Sequence, residues 1–403
     1  MQQAFLYDAI RTPFGKIGGS LSGHRPDDLA AHVVRELVAR HDALDVNSID
    51  ESIFGNANGA GEENRNVARM ATLLAGLPTS LPGTTMNRLC GSSLDAAIAA
   101  SRQVAVGDSD LVLVGGVESM SRAPWVLPKT ERAFPMSNLE LANTTLGWRL
   151  VNPAMPGEWT VSLGEATEQL RERYEISRED QDAFSARSHQ QAAAAWDAGK
   201  YENLVVSVPP ASKRAVEVTR DETIRPDSTP EVLGKLRTVF RIGENATVTA
   251  GNASPMNDGA SAAFIGSERG GELLGAAPIA RIVSNGAFAL DPQFFGFAPV
   301  DAANKALAKA GLQWSDIAAV ELNEAFAAQS LACIRAWDID ESIVNAWGGA
   351  IAIGHPLGAS GLRILGTLAR RLQESGERFG VAAICIGVGQ GLAVVLENVN
   401  STK

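Results

Sequence analysis

The sequence of 403 residues has few cysteines and no long apolar run. Its three cysteines, Cys90, Cys333 and Cys385, are an odd number in a long chain, which predicts separate thiols in a reducing cytosol and excludes a disulfide framework. No uninterrupted apolar run reaches the roughly 18 residues that span a bilayer, and Asp8 and Arg11 interrupt any signal-peptide core. We therefore expect a cytoplasmic protein without a membrane partner.

Positive charge is also scarce. The 35 Lys and Arg residues are outnumbered by 46 Asp and Glu residues, and the net charge of −11 argues against nucleic acid as a partner. Residues 213–241 are a local exception, because they contain seven basic and five acidic residues. This segment is the expected location of a phosphate-bearing ligand. A hydrophobic content of 45% indicates a globular chain with a large core.

Several familiar binding motifs are missing from the sequence. Metal binding gains no support, because neither a Cys-x-x-Cys pair nor a His-Glu-x-x-His spacing occurs. The chain also lacks a Gly-x-x-x-x-Gly-Lys phosphate loop, and no Gly-x-Gly-x-x-Gly follows the first predicted strand.

Apolar runs rich in Val, Ile and Ala alternate with segments of helical period, which predicts an α/β architecture. The same order of elements occurs twice, which indicates an internal duplication. In the first copy the pattern predicts strands near 4–9, 53 and 111–114 and helices over 26–40, 67–77 and 92–106. In the second copy it predicts strands near 280–283, 318–322, 343–345, 381–385 and 392–396, and helices over 299–310, over 326–337 and ending at 372.

Residues 119–250 differ from both copies, because prolines interrupt short helical stretches of which the best covers 178–198. We predict an inserted loop domain over these residues, which would bind the ligand and contribute oligomer contacts. The N-terminal half would then consist of 1–118 plus 251–272, and the C-terminal half of 273–403.

Cys90 lies where a predicted strand turns directly into the helix at 92–106. A helix N-terminus and a nearby imidazolium would lower the pKa of this thiol and so increase its thiolate fraction. The alternative for a lone cysteine is a buried packing role, which we also expect for Cys333.

Three more residues stand beside glycine-rich or strand-end segments. His355 is the one imidazole in the Gly-rich loop 348–361, whereas the other histidines are expected at the surface. Cys385 enters a turn whose N–H groups could form an oxyanion hole, and Asn323 follows a strand, where a helix N-cap is the simpler interpretation. Two thiols, an imidazole and an amide together suggest covalent acyl transfer through a thioester.

The combined motifs resemble those of the thiolases, which cleave 3-oxoacyl-CoA with CoA or condense two acyl-CoA units. The resemblance covers nearly the whole chain and rests on four motifs in the family's order, namely the Cys90 turn, Asn-Glu-Ala-Phe-Ala at 323–327, Gly-His-Pro at 354–356 and the Cys385 turn. It implies an α/β fold of the duplicated five-layer α-β-α-β-α type with an inserted loop domain. It also implies a homodimer or homotetramer.

The resemblance implies roles for the reactive residues. Cys90 would be the nucleophile that holds the acyl group, His355 the base that forms its thiolate, and Cys385 the second acid/base. A water held by Asn323 would stabilise the enolate oxygen together with His355. The backbone N–H groups of Cys90 and Gly387 would bind the other oxyanion. Coenzyme A is expected as a co-substrate, with no permanently bound cofactor and no metal.

The resemblance places the CoA site on the insertion. Arg225 would pack on the adenine, and Ser254 and Phe326 would contact pantetheine. Phe240 and Leu163 complete the predicted CoA-binding set.

Two residues depart from the family pattern. Val388 replaces the middle glycine of the usual Gly-Gly-Gly run after the second cysteine, and Ser162 stands where many acetoacetyl-CoA thiolases carry a histidine. Neither departure removes a catalytic group.

Segments 63–70, 147–149 and 385–389 look like the 3-oxoadipyl-CoA thiolases of aromatic catabolism, whereas the segment after Pro156 does not match that subgroup. If the substrate tail is a carboxylate, Arg149 could pair with it, although a surface or structural arginine is the alternative. A role in fatty acid degradation stays open.

Three other functions stay open at this point. One is a biosynthetic acetoacetyl-CoA thiolase. Another is a decarboxylating condensing enzyme of the ketoacyl-synthase kind, which normally needs two histidines in place of the His355 and Cys385 pair. The third is a non-catalytic acyl-CoA-binding protein, which the retention of every expected reactive side chain disfavours.

Overall fold

The computed structural model describes residues 2–243 and 245–401. Within these residues the chain forms twelve strands and eleven α-helices. The strands are β1 (Ala4–Arg11), β2 (Gly15–Lys16), β3 (Glu51–Gly55), β4 (Gly83–Met86), β5 (Leu111–Ser119), β6 (Trp125–Val126), β7 (Ala142–Asn143), β8 (Asn257–Gly266), β9 (Ala280–Ala289), β10 (Ile317–Leu322), β11 (Phe379–Ile386) and β12 (Gln390–Glu397). The helices are α1 (Pro26–Ala39), α2 (Val67–Leu74), α3 (Ser92–Val106), α4 (Leu163–Arg173), α5 (Arg178–Asp197), α6 (Pro230–Leu233), α7 (Glu268–Leu274), α8 (Ala298–Ala310), α9 (Ala327–Trp337), α10 (Ala350–Ile353) and α11 (Leu357–Ser375).

Both copies of the duplicated unit contribute strands to one large sheet. Its strand order is β10-β11-β12-β9-β1-β8-β5-β3-β4, with β2 paired to β8. In the first half β3 runs parallel to β4 and β5, and β8 runs antiparallel to β5 and β1. In the second half β10 runs parallel to β11, and β12 runs antiparallel to β11 and β9. The predicted internal repeat is therefore confirmed, and the two halves join where β1 pairs antiparallel with β9.

The repeat is incomplete at the place that corresponds to β4. A strand was predicted near 343–345, but only an isolated parallel bridge joins Val344 to Val320, so this prediction is wrong. The reason lies in the Asn345 side chain, which both accepts from the backbone N–H of Leu322 at 2.9 Å and donates to its carbonyl at 2.8 Å. The Asn345 side chain thus replaces the next pair of backbone hydrogen bonds that a strand would make.

Five strands were not identified from the sequence, namely β8, the short β4 and the two-residue β2, β6 and β7. The segment of β8, Asn257–Gly266, contains Asn, Asp, Gly and small residues with a single β-branched side chain, which favours a turn more than a strand. Pairing with β1 on one side and β5 on the other overrides this local preference. The short edge strand β4 was missed as well, and β5 extends to Ser119, five residues beyond its predicted end.

Helices α3 and α11 lie between the two halves of the sheet, since each packs on strands of both halves. Their apolar side chains, including Leu94, Ile98, Leu365 and Leu368, form one core with the inner faces of those strands. Helices α1 and α2 cover the outer face of the first half, and α8 covers the outer face of the second. This order of layers confirms the predicted α-β-α-β-α arrangement.

Close contacts at two glycines bring the reactive segments together. A Cβ at Gly361, near the start of α11, would lie 2.2 Å from the backbone nitrogen of Leu94 at the start of α3. A Cβ at Gly91 would lie 2.5 Å from the side chain of Ile386, at the end of β11. The Cys90 turn, the N-terminal end of α11 and the end of β11 therefore meet in one place.

The chain between β5 and β8 forms α4, α5, α6 and the two-stranded ribbon of β6 and β7. The helix predicted over 178–198 is α5, whereas α4 was not predicted. The boundaries of the insertion stay a prediction. In the part of the chain that the structure describes, no helix has both the length and the apolar character that crossing a membrane requires.

Candidate active site

Cys90 occupies the predicted strand-to-helix turn. It lies in a 3-10 turn, Leu89–Gly91, that connects β4 to α3. Leu89 has a left-handed φ of 46°, a conformation that costs a non-glycine residue about 1 kcal/mol or more. The Ser92 hydroxyl holds the turn, because it donates to the Leu89 carbonyl at 2.6 Å and accepts from the Arg88 N–H at 2.9 Å. Cys90 lines a cavity of about 300 Å³.

The Cys90 thiol is neutral in the resting protein. Burial raises its pKa to about 11, and the negative charge of Glu118 acts in the same direction. Hydrogen bonds from the backbone N–H groups of Gly387 and of Cys90 itself lower the pKa, but they do not offset burial. The prediction of a lowered pKa is therefore wrong, because desolvation outweighs the helix N-terminus.

His355 sits between two helices within the segment that was predicted as one Gly-rich loop. This segment is partly helical, with α10 ending at Ile353 and α11 starting at Leu357. Burial, and next the positive charge of Arg363, lower the pKa of the imidazole to about 3. His355 is consequently neutral at physiological pH and can accept a proton from a thiol, but it is not the imidazolium that was expected beside Cys90.

The imidazole is held by two side chains. Its Nδ1 lies 2.6 Å from the Ser360 hydroxyl oxygen, a contact that fixes the plane of the ring. The amide nitrogen of Asn323 lies 3.3 Å from Nδ1 and 3.4 Å from Nε2. The Asn323 amide therefore approaches both ring nitrogens at nearly equal distances. Nδ1 has the shorter contact, with Ser360, so Nε2 is the less tightly held ring nitrogen and the better placed for proton transfer.

Asn323 does not act as a helix N-cap, so the simpler interpretation of its sequence position is wrong. The N-cap position of α9 belongs to Phe326, which makes no side-chain cap. The Asn323 side chain points instead to His355, and its Oδ1 accepts from the Arg363 guanidinium at 2.8 Å. The structure thus joins two of the predicted catalytic residues directly.

Cys385 is fully buried near the end of β11. Burial raises its pKa well above that of a free thiol, and the neighbouring Cys90 and Cys333 thiols add to the increase. It packs in an apolar cluster that also contains Phe326, with Leu163 at its margin. Cys333 is buried in the core of the second half, as predicted.

The turn after Cys385 connects β11 to β12 and places the Gly387 N–H at the Cys90 sulfur. The next residue, Val388, has φ of 68°, although a β-branched residue strongly disfavours this conformation. This is the position at which the family usually has glycine. Val388 keeps the backbone turn of a glycine while adding an apolar side chain to the cavity wall.

Residues 144–149 form a continuous part of the cavity wall. Trp148 is anchored there, because its indole N–H donates to the Val161 carbonyl at 3.2 Å. The neighbouring Arg149 is exposed, and no hydrogen bond or ion pair of its side chain occurs among the described residues. The remaining lining residues are Ala57, Asn58, Leu89, Leu163, Leu357, Gly387 and Val388.

The predicted CoA-binding residues divide into two groups. Phe326 contacts the edge of the Phe240 ring, with centroids 6.1 Å apart, and belongs to the same apolar cluster as Leu163. Ser254 is tied to this group, because its backbone N–H donates to the Ala325 carbonyl at 2.9 Å. Arg225 lies apart from these contacts and is exposed.

The basic segment 213–241 has less free charge than its composition indicates. Arg241 is committed to Glu165 and Glu172 in ion pairs, and Arg220 lies 3.4 Å from a carboxylate oxygen of Asp197. The side chains that remain exposed, without an ion pair among the described residues, are Lys213, Arg214, Arg225, Lys235 and Arg237.

One histidine contradicts its predicted surface location. His189 on α5 is buried, and its Nδ1 accepts from the backbone N–H of Arg225 at 3.2 Å. Burial lowers its pKa to about 4. His189 therefore positions the backbone of a predicted CoA-binding residue.

Ser162 also has a local explanation. It is the N-cap of α4, and its hydroxyl accepts from the Glu165 N–H at 3.2 Å. Its place in the sequence therefore reflects the start of a helix.

Sequence reasoning missed Glu118, a buried carboxylate at the end of β5. It accepts hydrogen bonds from the backbone N–H groups of Ala57 at 2.9 Å, Asn58 at 3.1 Å and Gly358 at 2.9 Å. Asn58 in turn donates to Thr144. One carboxylate thus ties together three parts of the cavity wall. The available signal was an acidic residue inside an otherwise apolar strand run.

We expect Glu118 to make folding stability depend on pH. Burial raises its pKa from 4.5 to about 7, so the folded chain binds this proton more tightly than the unfolded chain. Its contribution to stability is fully present below pH 4.5 and is lost as the pH rises through about 7. A shift of this size corresponds to about 3 kcal/mol.

The measurement is urea unfolding of Glu118→Gln and the parent between pH 5 and 8. The parent's free energy of unfolding should fall relative to the variant's as the pH rises. The exposed Glu131→Gln is the control. A difference between parent and Glu118→Gln that does not change with pH would contradict the prediction.

Comparison with known proteins agrees with this arrangement. The N-terminal domain of the thiolase family matches residues 4–269, and the C-terminal domain of the same family matches residues 276–398. The chain is 49% identical to a beta-ketoadipyl-CoA thiolase of Escherichia coli, over 99% of this chain and 100% of the relative. It is also 49% identical, with the same coverage, to the 3-oxoadipyl-CoA/3-oxo-5,6-dehydrosuberyl-CoA thiolase of Escherichia coli strain K12.

The fold is shared with a solved structure, that of human mitochondrial 3-ketoacyl-CoA thiolase in complex with CoA. The TM-score is 0.92 at 35% identity, and the match covers 99% of this chain and 98% of the human chain. Sequence and fold therefore agree over the full length. This chain belongs to the thiolase family, and it is an acyltransferase that uses coenzyme A as a co-substrate.

Proposed function

We propose that this chain cleaves 3-oxoacyl-CoA with CoA to give acetyl-CoA and a shortened acyl-CoA, and that Cys90 carries the acyl group. The observation that carries the proposal is the Cys90 thiol at the wall of a cavity that Gly387 also lines, where the Gly387 N–H lowers the pKa of the thiol. A donor in this position can also bind the oxyanion that forms when the sulfur attacks a carbonyl.

The first half-reaction forms the acyl-enzyme. His355 takes the Cys90 proton as the sulfur attacks the 3-oxo carbon, since the imidazole is neutral and the thiol is protonated at rest. The bond between C2 and C3 then breaks, and its electron pair moves into the enolate of acetyl-CoA. Cys385 donates its thiol proton to C2, while His355 and a water held by Asn323 stabilise the enolate oxygen.

The second half-reaction releases the shortened acyl chain. The CoA thiol gives its proton to the Cys385 thiolate left by the first half-reaction and attacks the thioester carbonyl on Cys90. The N–H groups of Cys90 and Gly387 stabilise the tetrahedral oxyanion, and the Cys90 sulfur leaves and takes its proton back from His355. Run backwards, the same steps give a Claisen condensation.

The proposal extends to a dicarboxylic substrate of the 3-oxoadipyl-CoA class. Arg149 lines the same cavity as Cys90 and has no carboxylate partner among the described residues, so a substrate carboxylate could pair with it. The names of the two bacterial relatives support this choice. Ser162 serves as a helix N-cap where many acetoacetyl-CoA thiolases carry a histidine, which disfavours the biosynthetic alternative.

Replacing Arg149 with alanine should lower kcat/KM for 3-oxoadipyl-CoA by about 10- to 100-fold, because a hydrogen bond to a charged group contributes about 1.5–3 kcal/mol. The rate on a 3-oxoacyl-CoA with an uncharged tail should change little. The matched control is Arg132→Ala, an exposed arginine that does not line the cavity. Equal rates on 3-oxoadipyl-CoA for Arg149→Ala and the parent would contradict the pairing.

The function itself is tested by ranking kcat/KM for acetoacetyl-CoA, medium-chain 3-oxoacyl-CoA and 3-oxoadipyl-CoA. We expect 3-oxoadipyl-CoA to rank first. A preference for acetoacetyl-CoA would indicate the biosynthetic alternative, and no turnover of any substrate would indicate a protein that only binds acyl-CoA.

CoA is proposed to bind along the insertion. Phe326, Phe240 and Leu163 offer an apolar surface for pantetheine beside Ser254. Arg225 would stack on the adenine, where its exposed guanidinium is free to do so. The exposed cations of 213–241 would face the phosphates. A CoA dissociation constant that does not change in Arg225→Ala would contradict this placement.

A homodimer or homotetramer is part of the proposal. Residues 125–151 expose an unusual number of large apolar side chains, among them Trp125, Phe134 and Met136, which a subunit contact would cover. Light scattering that shows a monomer would contradict it.

A reducing compartment such as the cytoplasm also belongs to the proposal, because the reaction needs Cys90 and Cys385 as free thiols.

A further inference from the structure

A network of buried charged side chains, formed by Arg371, Glu321 and Arg363, connects α11 to Asn323 in the proposed enolate site. The Arg363 side chain is completely buried, and its Nη2 donates to the Asn323 Oδ1 at 2.8 Å. Its Nη1 lies 3.6 Å from the Glu321 carboxylate, which Arg371 binds from the other side at 2.7 Å. Two nitrogens of the Arg363 guanidinium, Nε and Nη1, have no hydrogen-bond partner among the described residues. A buried guanidinium that is only partly satisfied is costly to keep unless it does something for the site.

The contact with Arg363 decides which way the Asn323 amide faces. An amide has a carbonyl oxygen that accepts and an NH2 group that donates. A guanidinium only donates, so it holds the Oδ1 of Asn323 and turns the NH2 group towards the His355 ring. If the amide were reversed, its NH2 group would face the Arg363 guanidinium, and two hydrogen-bond donors would then oppose each other. The NH2 group is the part that can hold a water or an enolate oxygen.

The charge of Arg363 also acts on His355. Burial is the larger cause of the lowered imidazole pKa, and among the described residues the positive charge of Arg363 lowers that pKa further. The titratable and charged groups on the surrounding elements are Cys90, Glu118, Glu321, Glu324, Arg371, Cys385, Arg11 and Tyr201.

We propose that Arg363 is a positioning residue for catalysis, which fixes Asn323 with its NH2 group towards His355. This inference rests on the proposed function, because it assigns a task to a residue behind the same site. Arg363 acts through Asn323 and His355.

The test combines variants that separate charge from geometry. Arg363→Gln removes the charge, so the acid limb of the kcat/KM profile should move up by about one pH unit as His355 becomes easier to protonate. Its kcat should fall about 10- to 100-fold with little change in KM, less than the roughly 10²–10³ that removal of an oxyanion donor costs. Arg363→Lys keeps the charge but loses the guanidinium fork. Its acid limb should stay in place while kcat falls.

The pH dependence of Cys90 alkylation by iodoacetamide gives a second measurement that needs no substrate. It should show the same shift for Arg363→Gln and none for Arg363→Lys. The matched control is Arg371→Gln, which removes another arginine of the same helix from the same carboxylate but does not contact Asn323. If Arg363→Gln fails to fold, the double variant Glu321→Gln/Arg363→Gln takes its place, because it also removes the carboxylate that would have lost one of its two arginines.

The two proposals can fail separately. An unmoved acid limb and an unchanged kcat in a folded Arg363→Gln, with Cys90→Ala inactive, would overturn the role of Arg363 alone. A similar shift in Arg371→Gln would also overturn it, since the effect would then come from the whole network of buried charges and not from the contact of Arg363 with Asn323. Full activity in Cys90→Ala would overturn the proposed function.

Discussion

Replacement of Cys90 by alanine is expected to lower kcat for thiolysis by about four orders of magnitude or more. Loss of a covalent nucleophile has effects of this size, because the groups that assist it have nothing left to assist. The fold should survive, since the change removes one sulfur atom from a residue that lines a cavity. KM is expected to change little.

The measurement is the loss of 3-oxoacyl-CoA with time, together with intact mass spectrometry of the protein after mixing with acyl-CoA. The parent should gain the mass of one acyl group, and Cys90→Ala should gain none. Cys333→Ala is the control, because this thiol is also buried but packs in the core of the second half. Normal turnover by Cys90→Ala would remove the basis of the proposed function.

The position of Cys90 could be predicted from the sequence, but its protonation state could not. The helix after it, Ser92–Val106, begins and ends where the pattern predicted, since apolar spacing and the Gly107 stop are local signals. Desolvation is not local. The cover over Cys90 comes from residues 144–149, Leu163 and the Gly387 turn, which are distant in sequence. The sign of the pKa shift therefore depended on packing that no local pattern encodes.

The same limit explains the errors at polar residues. Taken alone, the position of Asn323 between a strand and a helix favours a helix cap, but its partners are His355 and Arg363, which lie on a later part of the chain. Asn345 replaces a predicted strand pair with its side chain. Each side chain has a plausible local role, and the long-range partner decides which role is realised.

Replacement of Cys385 by alanine is expected to separate the two half-reactions. Cys385 is proposed to carry the proton of the acetyl-CoA α-carbon, and a general acid or base contributes about 10²–10⁴ to the rate. Thiolysis should therefore fall by about three orders of magnitude. Exchange of α-hydrogens of acetyl-CoA with deuterium from solvent should fall equally, because it requires the same proton transfer.

Transfer of an acyl group from acyl-CoA to labelled CoA should behave differently. This exchange needs Cys90, His355 and the Gly387 N–H, but no bond to the α-carbon is made or broken. It should persist in Cys385→Ala within a few-fold of the parent and disappear in Cys90→Ala. Equal loss of both exchanges in Cys385→Ala would show that Cys385 supports the Cys90 turn instead, and unchanged deuterium exchange would show that another group moves the proton. The Cys90 thiol adds to the raised pKa of Cys385, and comparing the two exchange reactions is therefore the sharpest test of how the two thiols divide their roles.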